Sequence, residues 1–578
     1  MKELCTLKDV YVRKKWRWVV VLEIIGPEKT IGVGSMERLL RLLGIEATGE
    51  NRGLIRCGWV LAGAAVVLRL AFWAYTGRLW EDALITVLHS ENAVAGFGLT
   101  HHHVDEPPIH GFTSPLSVLV PLMGDLVHMG WGIHFIRLVS AFAGGLAVLY
   151  ALGIAIHPRI TLPAPMAILV MGYLAFEHHQ ILYGMAGMET QITTCILLAS
   201  FYFLIAERPA ALGLSLGLCM LARPDFAFWT VIAGVYGLFR LKKRMIAVVA
   251  IAVGLYLPWI VFTTWYYGSP IPNTVLAKNL GYYLWTRDPN LDWSLAWHHL
   301  RLRVTGNYGY ETVFQPLGPC FGGHGTHFRP LFGDRGLICG AMTMLACVGA
   351  AAALWRRQWA FAPFIGFAAC YACYYIFLVA VPFGWYLVPF LASVVWLSAR
   401  GLQAVAGLAP GPRARFAFLT IAAALYLAPF VVYTPKTFLA EKQIQEQIEN
   451  NVRKPIGLYL NRVMQPNETV ACECLGYVSY YSRRTVYDWP GLASRKVVAF
   501  SRAHPEIRSL MGMIATLKPD YLVLRHHEYV GSRDNCCPWL ATKYKIVAAF
   551  EAPREKIRDI FLIDQNIDLG FYVLKRTG

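Results

Sequence analysis

The feature that most constrains this chain is a succession of long apolar runs separated by short basic connectors. The runs lie at 55–77, 134–156, 162–182, 190–206, 209–222, 226–239, 245–267, 336–355, 359–380, 383–399 and 416–434. Each reaches or approaches the ~20 residues that a helix needs to cross a bilayer. The connectors carry Arg159, Arg208, the RLKKR stretch at 240–244, Arg356 and Arg357, Arg400, and Arg413 with Arg415. Lys and Arg collect on the cytoplasmic side of membrane proteins, and one sidedness puts all of these inside. A further apolar segment, TSPLSVLVPLMGDLVHMG at 113–130, would reverse that sidedness if it spanned. It is therefore expected to lie along the outer interface. The expected fold is an α-helical polytopic membrane protein of about eleven spans, N-terminus in and C-terminus out.

Three regions follow. Residues 1–54 read as a basic cytoplasmic segment without a signal-peptide core, and Met36 in GSMERLLRLLG is an alternative start. Residues 55–434 form the membrane domain, with a first outer loop at 78–133 and a long outer loop at 268–335. Residues 435–578 read as an extracytoplasmic α/β domain. A polar helical run, AEKQIQEQIENNVRKPIGLYLNRVM, leads there into strand-like ETVACECLGYVSYY, RTVYDW, DYLVLR, KIVAAFEA and GFYVLKR. Cys472 and Cys474 are expected on one strand face, where either could pair with Cys536 or Cys537 or remain a thiol.

The formal charge of +17 by itself would suit a nucleic-acid binder. Its basic residues sit in clusters between apolar runs rather than on one soluble face, so no nucleic-acid partner is expected. No P-loop or dinucleotide-binding fingerprint is present, which argues against an ATP-driven pump.

The chemistry gathers where the runs meet the outer face. WEDALITVLHSENAVAGFGLTHHHVDEPPIHGFTSPL begins at Trp80 with adjacent carboxylates, Glu81 and Asp82. Such a pair suits the positive end of a helix, and equally a general base at the membrane surface. Arg223 in ARPD and Lys278 in PNTVLAK lie near outer span ends. They either snorkel or hold a phosphate. Glu189 in GMET is a helix cap or a substrate contact. His101, His102 and His103 with Asp105 and Glu106 invite a metal reading. Consecutive residues rarely converge on one ion, so no cofactor is expected, with a divalent metal as the minor alternative. His110 belongs to the same polar loop.

In their order along the chain, EDALITVLHSENAVAGFGL, HGFTSPL, YGMAGMET, CMLARPDF, SPIPNTVLAK, WYLVP and GYVSYYSRRTVYDWPGL resemble the motifs of a bacterial family of multi-spanning GT-C glycosyltransferases. The mycobacterial arabinofuranosyltransferases that use decaprenyl-phosphate donors are similar. The resemblance covers about residues 55–570 as an ordered set. It implies an enzyme of the bacterial cytoplasmic membrane. The enzyme would move a sugar from a polyprenyl-phosphate donor to an envelope glycan, lipid or protein on the outer face, among membrane lipids. Asp82, or Glu81, would then be the base. Arg223, Lys278, His89 and Arg137 would contact the donor phosphate. Glu189, Asn273, Trp385, Tyr386 and His110 would contact substrate. The chain departs from the family pattern at two arginines. Leu88 stands in place of one, next to His89 in place of a tyrosine, and Trp385 stands in place of the other. Two other readings are a transporter or flippase of a lipid-linked envelope precursor, and an inert glycan-binding relative. Transporters usually place ionisable groups mid-span, often within inverted repeats, whereas the groups singled out here gather at outer span ends and no internal repeat stands out.

Overall fold

The computed structural model of the chain describes residues 33–46, 51–102, 106–282, 290–305, 313–314, 317, 335–379, 382–557 and 569–577. His103, Asp105 and much of the long outer loop lie outside them. Among the described residues, seven helical stretches are long and apolar enough to cross a membrane, or up to eight when the bent pair His178–Met185 and Thr190–Ile205 counts as one. The chain is a multi-pass membrane protein. The runs expected at 226–239 and 245–267 form the helices Ala227–Leu241 and Met245–Tyr267 within one 44-residue apolar stretch, broken at the basic turn Lys242–Arg244.

The first span, Arg52–Thr76, has 25 residues. At 1.5 Å per residue that is about 38 Å, enough for a hydrocarbon core of about 30 Å. It stops at Gly77, whose left-handed φ of 59° returns its N–H to the Trp73 carbonyl. The segment 113–130 forms a helix only over Leu116–Val127, 12 residues. About 18 Å of helix cannot cross the core, in keeping with an interfacial position.

Three of the basic connectors, those of Arg159, Arg208 and Arg240, meet. Glu207 pairs with Arg159 at 2.7 Å and Arg240 at 2.9 Å. Arg208 pairs with Glu46 at 2.6 Å, and Arg400 donates to Gln358 at 2.9 Å.

A 53-residue helical stretch, Gly411–Val463, carries the chain from the membrane into the C-terminal domain. That domain holds a five-stranded sheet of β1 (Thr469–Cys472), β2 (Thr485–Asp488), β3 (Tyr521–Arg525), β4 (Tyr544–Glu551) and β5 (Gly570–Arg576), in the order β2-β1-β3-β5-β4. β1 runs parallel to β2 and β3, and β5 runs antiparallel to β3 and β4. Four of the five strand expectations match. The fifth, ETVACECLGYVSYY, is a strand only as far as Cys472, and Leu475–Ser482 is a helix. Cys474 therefore lies beyond the strand, and no disulfide joins Cys472, Cys474, Cys536 and Cys537.

Buried charge joins the two parts. The Arg78 guanidinium, in the turn after the first span, reaches Glu441 at 2.7 Å and Glu449 at 2.8 Å. Glu91 receives the Tyr480 hydroxyl at 2.6 Å and pairs with Arg483.

Candidate active site

The helix Glu81–Val94 begins where Trp80, in extended conformation, donates its N–H to the Ala186 carbonyl at 3.1 Å. That bond pins the GMAGMET turn to the helix start. Gly187 there has φ 93°, and a side chain at this position would run into Ala83 and Ile133. Glu189 is thereby brought to the same cavity as Asp82. The GFTSPL segment is tied on two sides. The Ser114 hydroxyl donates to the Ala222 carbonyl, just before Arg223, and the Thr113 and Thr274 hydroxyls meet at 2.8 Å. The Asn273 N–H donates to the His110 carbonyl at 3.0 Å, opening the helix Asn273–Gly281 that carries Lys278.

These segments enclose a cavity of about 470 Å³ that Asp82, Glu189, Arg223, Lys278, Trp385 and Tyr386 all line. Six of the residues singled out from sequence thus converge from five separate segments. The walls are aromatic, with Phe112, Phe228, Tyr282, Tyr374, Tyr375 and Phe383 among them.

The charged groups of the cavity act on one another. The Lys278 ammonium donates to the Tyr386 hydroxyl at 2.6 Å. Burial opposes its charge, but Tyr386 and Asp82 outweigh burial and raise its pKa. Burial raises the Asp82 carboxyl above the usual aspartate range, and Lys278 only partly offsets it. Arg223 forms a fork with Asp225, at 3.0 and 2.8 Å, lies over the Tyr386 ring at 4.5 Å, and stands 3.9 Å from Glu189. Asp225 also accepts the hydroxyls of Tyr371 and Tyr375, each at 2.7 Å. Sequence reasoning quoted Asp225 within ARPD without giving it a role. It passed over Tyr371 and Tyr375, which no motif marks.

Other expected site residues lie off the cavity wall. Glu81 turns to the C-terminal domain, accepting the Gly476 N–H at 3.0 Å and pairing with Arg453 at 3.2 Å. His89 gives its Nδ1 to the Ile85 carbonyl at 2.7 Å, and burial pushes its imidazole down to about 4. His110 stacks on Tyr267 at 4.8 Å, and burial pushes it down to about 3. Both rings are neutral at physiological pH and bring no positive charge to a phosphate. Arg137 is engaged by the carbonyls of Arg78 and Met185. Asn273 donates its amide to the carbonyls of Gly491, at 2.6 Å, and Leu492, at 3.1 Å. Leu88 is buried away from the cavity. Trp385 lines it, stacked on Phe383 at 4.8 Å and edge-on to Trp80 at 5.9 Å.

Two histidines of the loop have polar neighbours among the described residues. His101 meets Ser479 at 3.2 Å, and His102 lies 3.3 Å from Glu106. Among the described residues, Glu177, His178 and His179 each place one potential ligand atom within 4.8 Å of the others. These three are absent from the cavity lining. The Glu177 carboxylate is already occupied as a helix cap, accepting the N–H groups of His179 and Gln180.

A domain-family model described as a domain of unknown function, DUF8728, matches residues 439–567. No curated protein matches the chain. Several solved structures resemble it. One is the Archaeoglobus fulgidus oligosaccharyltransferase in complex with Zn and sulfate, at TM-score 0.51 and 13% identity, covering 82% of this chain and 68% of that one. The same enzyme tethered to an acceptor peptide gives TM-score 0.50 and 12% identity, over 85% and 72%. ArnT from Cupriavidus metallidurans bound to undecaprenyl phosphate gives TM-score 0.49 and 14% identity, over 89% and 97%. The fold is GT-C-like: a helical membrane domain with interfacial helices in its first outer loop, followed by a C-terminal domain built on a sheet.

Proposed function

We propose that the chain is a membrane glycosyltransferase that takes its sugar from a polyprenyl-phosphate donor. It passes the sugar to an envelope glycan, lipid or protein on the outer face of the cytoplasmic membrane. The observation that carries this reading is the placement of Asp82, Lys278 and Arg223 around one aromatic-walled cavity. In the reaction, Asp82 takes the proton of the acceptor hydroxyl. The hydroxyl oxygen bonds to the sugar C1, and the bond from C1 to the phosphate oxygen breaks. The phosphate leaves with the electron pair and stays on its lipid. Charge grows on that oxygen as the bond breaks, and the cations Lys278 and Arg223 stabilise it. The raised pKa of Asp82 suits a base that must hold a proton and release it again. The aromatic walls offer stacking faces to a sugar and exclude water.

The sidedness of this reading rests on charge. The connectors of Arg159, Arg208 and Arg240 gather through the pairs of Glu207 and Glu46, and the positive-inside tendency makes that end cytoplasmic. The N-terminal segment would then lie inside, and the C-terminal domain outside.

The test is turnover by purified protein with a panel of polyprenyl-phosphate sugars: mannose, glucose, arabinofuranose and aminoarabinose. Release of polyprenyl phosphate by wild type, lost in Asp82→Asn, is the expected result. Equal release by both would remove Asp82 from the chemistry. No turnover by folded protein with any donor would overturn the reading.

A further inference from the structure

The C-terminal domain reaches into the cavity through one loop. Asp488, at the end of β2, is buried and holds the loop by its carboxylate. Its Oδ2 accepts the N–H groups of Gly491 at 3.2 Å and Leu492 at 2.5 Å, and its Oδ1 accepts that of Ala493 at 2.9 Å. Gly491 takes φ 103°, a conformation open to glycine and strained for other residues. With three N–H groups turned inward to Asp488, the carbonyls of Gly491 and Leu492 are left to receive the Asn273 amide at 2.6 and 3.1 Å. Leu492 itself lines the cavity.

The same loop meets the other end of that helix. A side chain at Gly281 would collide with the Pro490 ring, so the two backbones touch only because glycine stands there. Arg508 of the C-terminal domain adds a bond to the Leu280 carbonyl at 3.4 Å. The helix Asn273–Gly281 has nine residues. Helices shorter than ~12–15 residues are marginal alone, so its position is set by what it packs against. Lys278 sits between the two contacts, five residues beyond Asn273.

We propose that the Asp488–Ala493 loop sets the position of the Lys278 ammonium, with Asn273 and Asp488 as positioning residues. The proposal rests on the reading of Lys278 as a contact for the donor phosphate. Asn273 then acts through Lys278 and does not touch substrate. The C-terminal domain completes the phosphate site from outside the membrane.

The test measures undecaprenyl phosphate binding to the purified full-length protein in nanodiscs. The variants are Lys278→Ala, Asn273→Ala, their double, Asp488→Asn and Gly281→Ala, each with a thermal transition to confirm folding. The expected result is weaker binding by Asn273→Ala, by about ten- to a hundredfold, since small misplacements of a binding group have effects of this size. The double variant is expected to bind no more weakly than Lys278→Ala. Gly281→Ala disturbs the same loop from the other end and should also weaken binding, so the test survives if Asp488→Asn does not fold. Asn273→Ala and Gly281→Ala binding like wild type would overturn the proposal while leaving the phosphate role of Lys278 intact. Additive losses in the double variant would also overturn it. Equal binding by wild type and Lys278→Ala would instead remove the phosphate role of Lys278, and the proposal with it.

Discussion

Glu81 and Asp82 are neighbours in the sequence and serve different parts of the molecule. Glu81 accepts the Gly476 N–H at 3.0 Å and pairs with Arg453 at 3.2 Å, so it belongs to the seam with the C-terminal domain. Asp82 lines the cavity. A side chain at Gly476 would collide with the Glu81 backbone, which shows how closely the seam is packed. Asp82→Asn is expected to lower transfer by about a hundred- to ten-thousandfold, the usual worth of a general base, with folding unchanged. Glu81→Gln keeps an oxygen for the Gly476 N–H but leaves Arg453 with one carboxylate fewer. It should lower the thermal transition more than the turnover of the folded protein. The reverse pattern, with Glu81→Gln inactive and Asp82→Asn active, would exchange their roles.

The pH profile carries its own expectation. Asp82 must be ionised to accept a proton, so the rate rises with pH as its carboxyl loses its own. Burial raises that carboxyl above its ordinary 3.8, which places the acidic limb above that of an exposed aspartate. Lys278 pulls it back down. Lys278→Met removes the nearby positive charge and should move the acidic limb to higher pH, beyond whatever it does to the maximal rate. A limb that stays put would mean that another group sets it.

Much of the site was legible because its residue types are unusual in such a chain. Asp82, Glu189, Arg223 and Lys278 are ionisable groups beside apolar runs, and all four meet in one cavity. What the sequence did not reveal depends on distant partners. Nothing near Glu81 announces Gly476, and nothing near Asn273 announces Gly491 and Leu492. The histidines were misleading for the same reason. His89 is expected at the donor phosphate and His110 at the substrate, but packing against Phe112 and Tyr267 buries and neutralises them. The fold followed similar lines. Periodicity marked β2 to β5, but LGYVSYYS reads as a strand by its aromatic and branched residues and folds as a helix. Strand propensity largely measures fit to a sheet surface, and this segment packs against the seam instead.

Arg223 is held in place by neighbours that the motif only half records. Asp225 binds it in a fork, and Tyr371 and Tyr375 fix Asp225 in turn. Tyr371→Phe and Tyr375→Phe each remove one hydrogen bond to a carboxylate, worth about 1.5–3 kcal/mol. Each should weaken undecaprenyl phosphate binding less than Arg223→Ala does. Arg223→Lys keeps the charge and loses the planar fork, so it should not restore wild-type affinity. Binding isotherms of the four variants check this order. Full affinity in Arg223→Lys would show that charge alone matters there.

The largest effect on stability is expected away from the cavity, at Arg78. This guanidinium is buried between two carboxylates, Glu441 at 2.7 Å and Glu449 at 2.8 Å, and lies 4.7 Å from the centre of the Trp80 ring. Arg78→Ala leaves two buried carboxylates with a cation removed from between them. Breaking a buried pair by removing one partner costs about 3–5 kcal/mol. Arg78→Lys restores the charge but cannot reach both carboxylates in the same plane, so it should recover only part of the loss. Trp80 directly precedes the helix that carries Asp82, and the Leu79 N–H and carbonyl also bond to Gln445 and Tyr477 of the C-terminal segment. Loosening Arg78 should therefore free the C-terminal domain from the first outer loop before the membrane helices unfold. Limited proteolysis and a thermal melt of the purified protein check this. Arg78→Ala should show earlier cleavage between the two parts and a lower first transition. A single unshifted transition would show that the buried triad does not hold the seam.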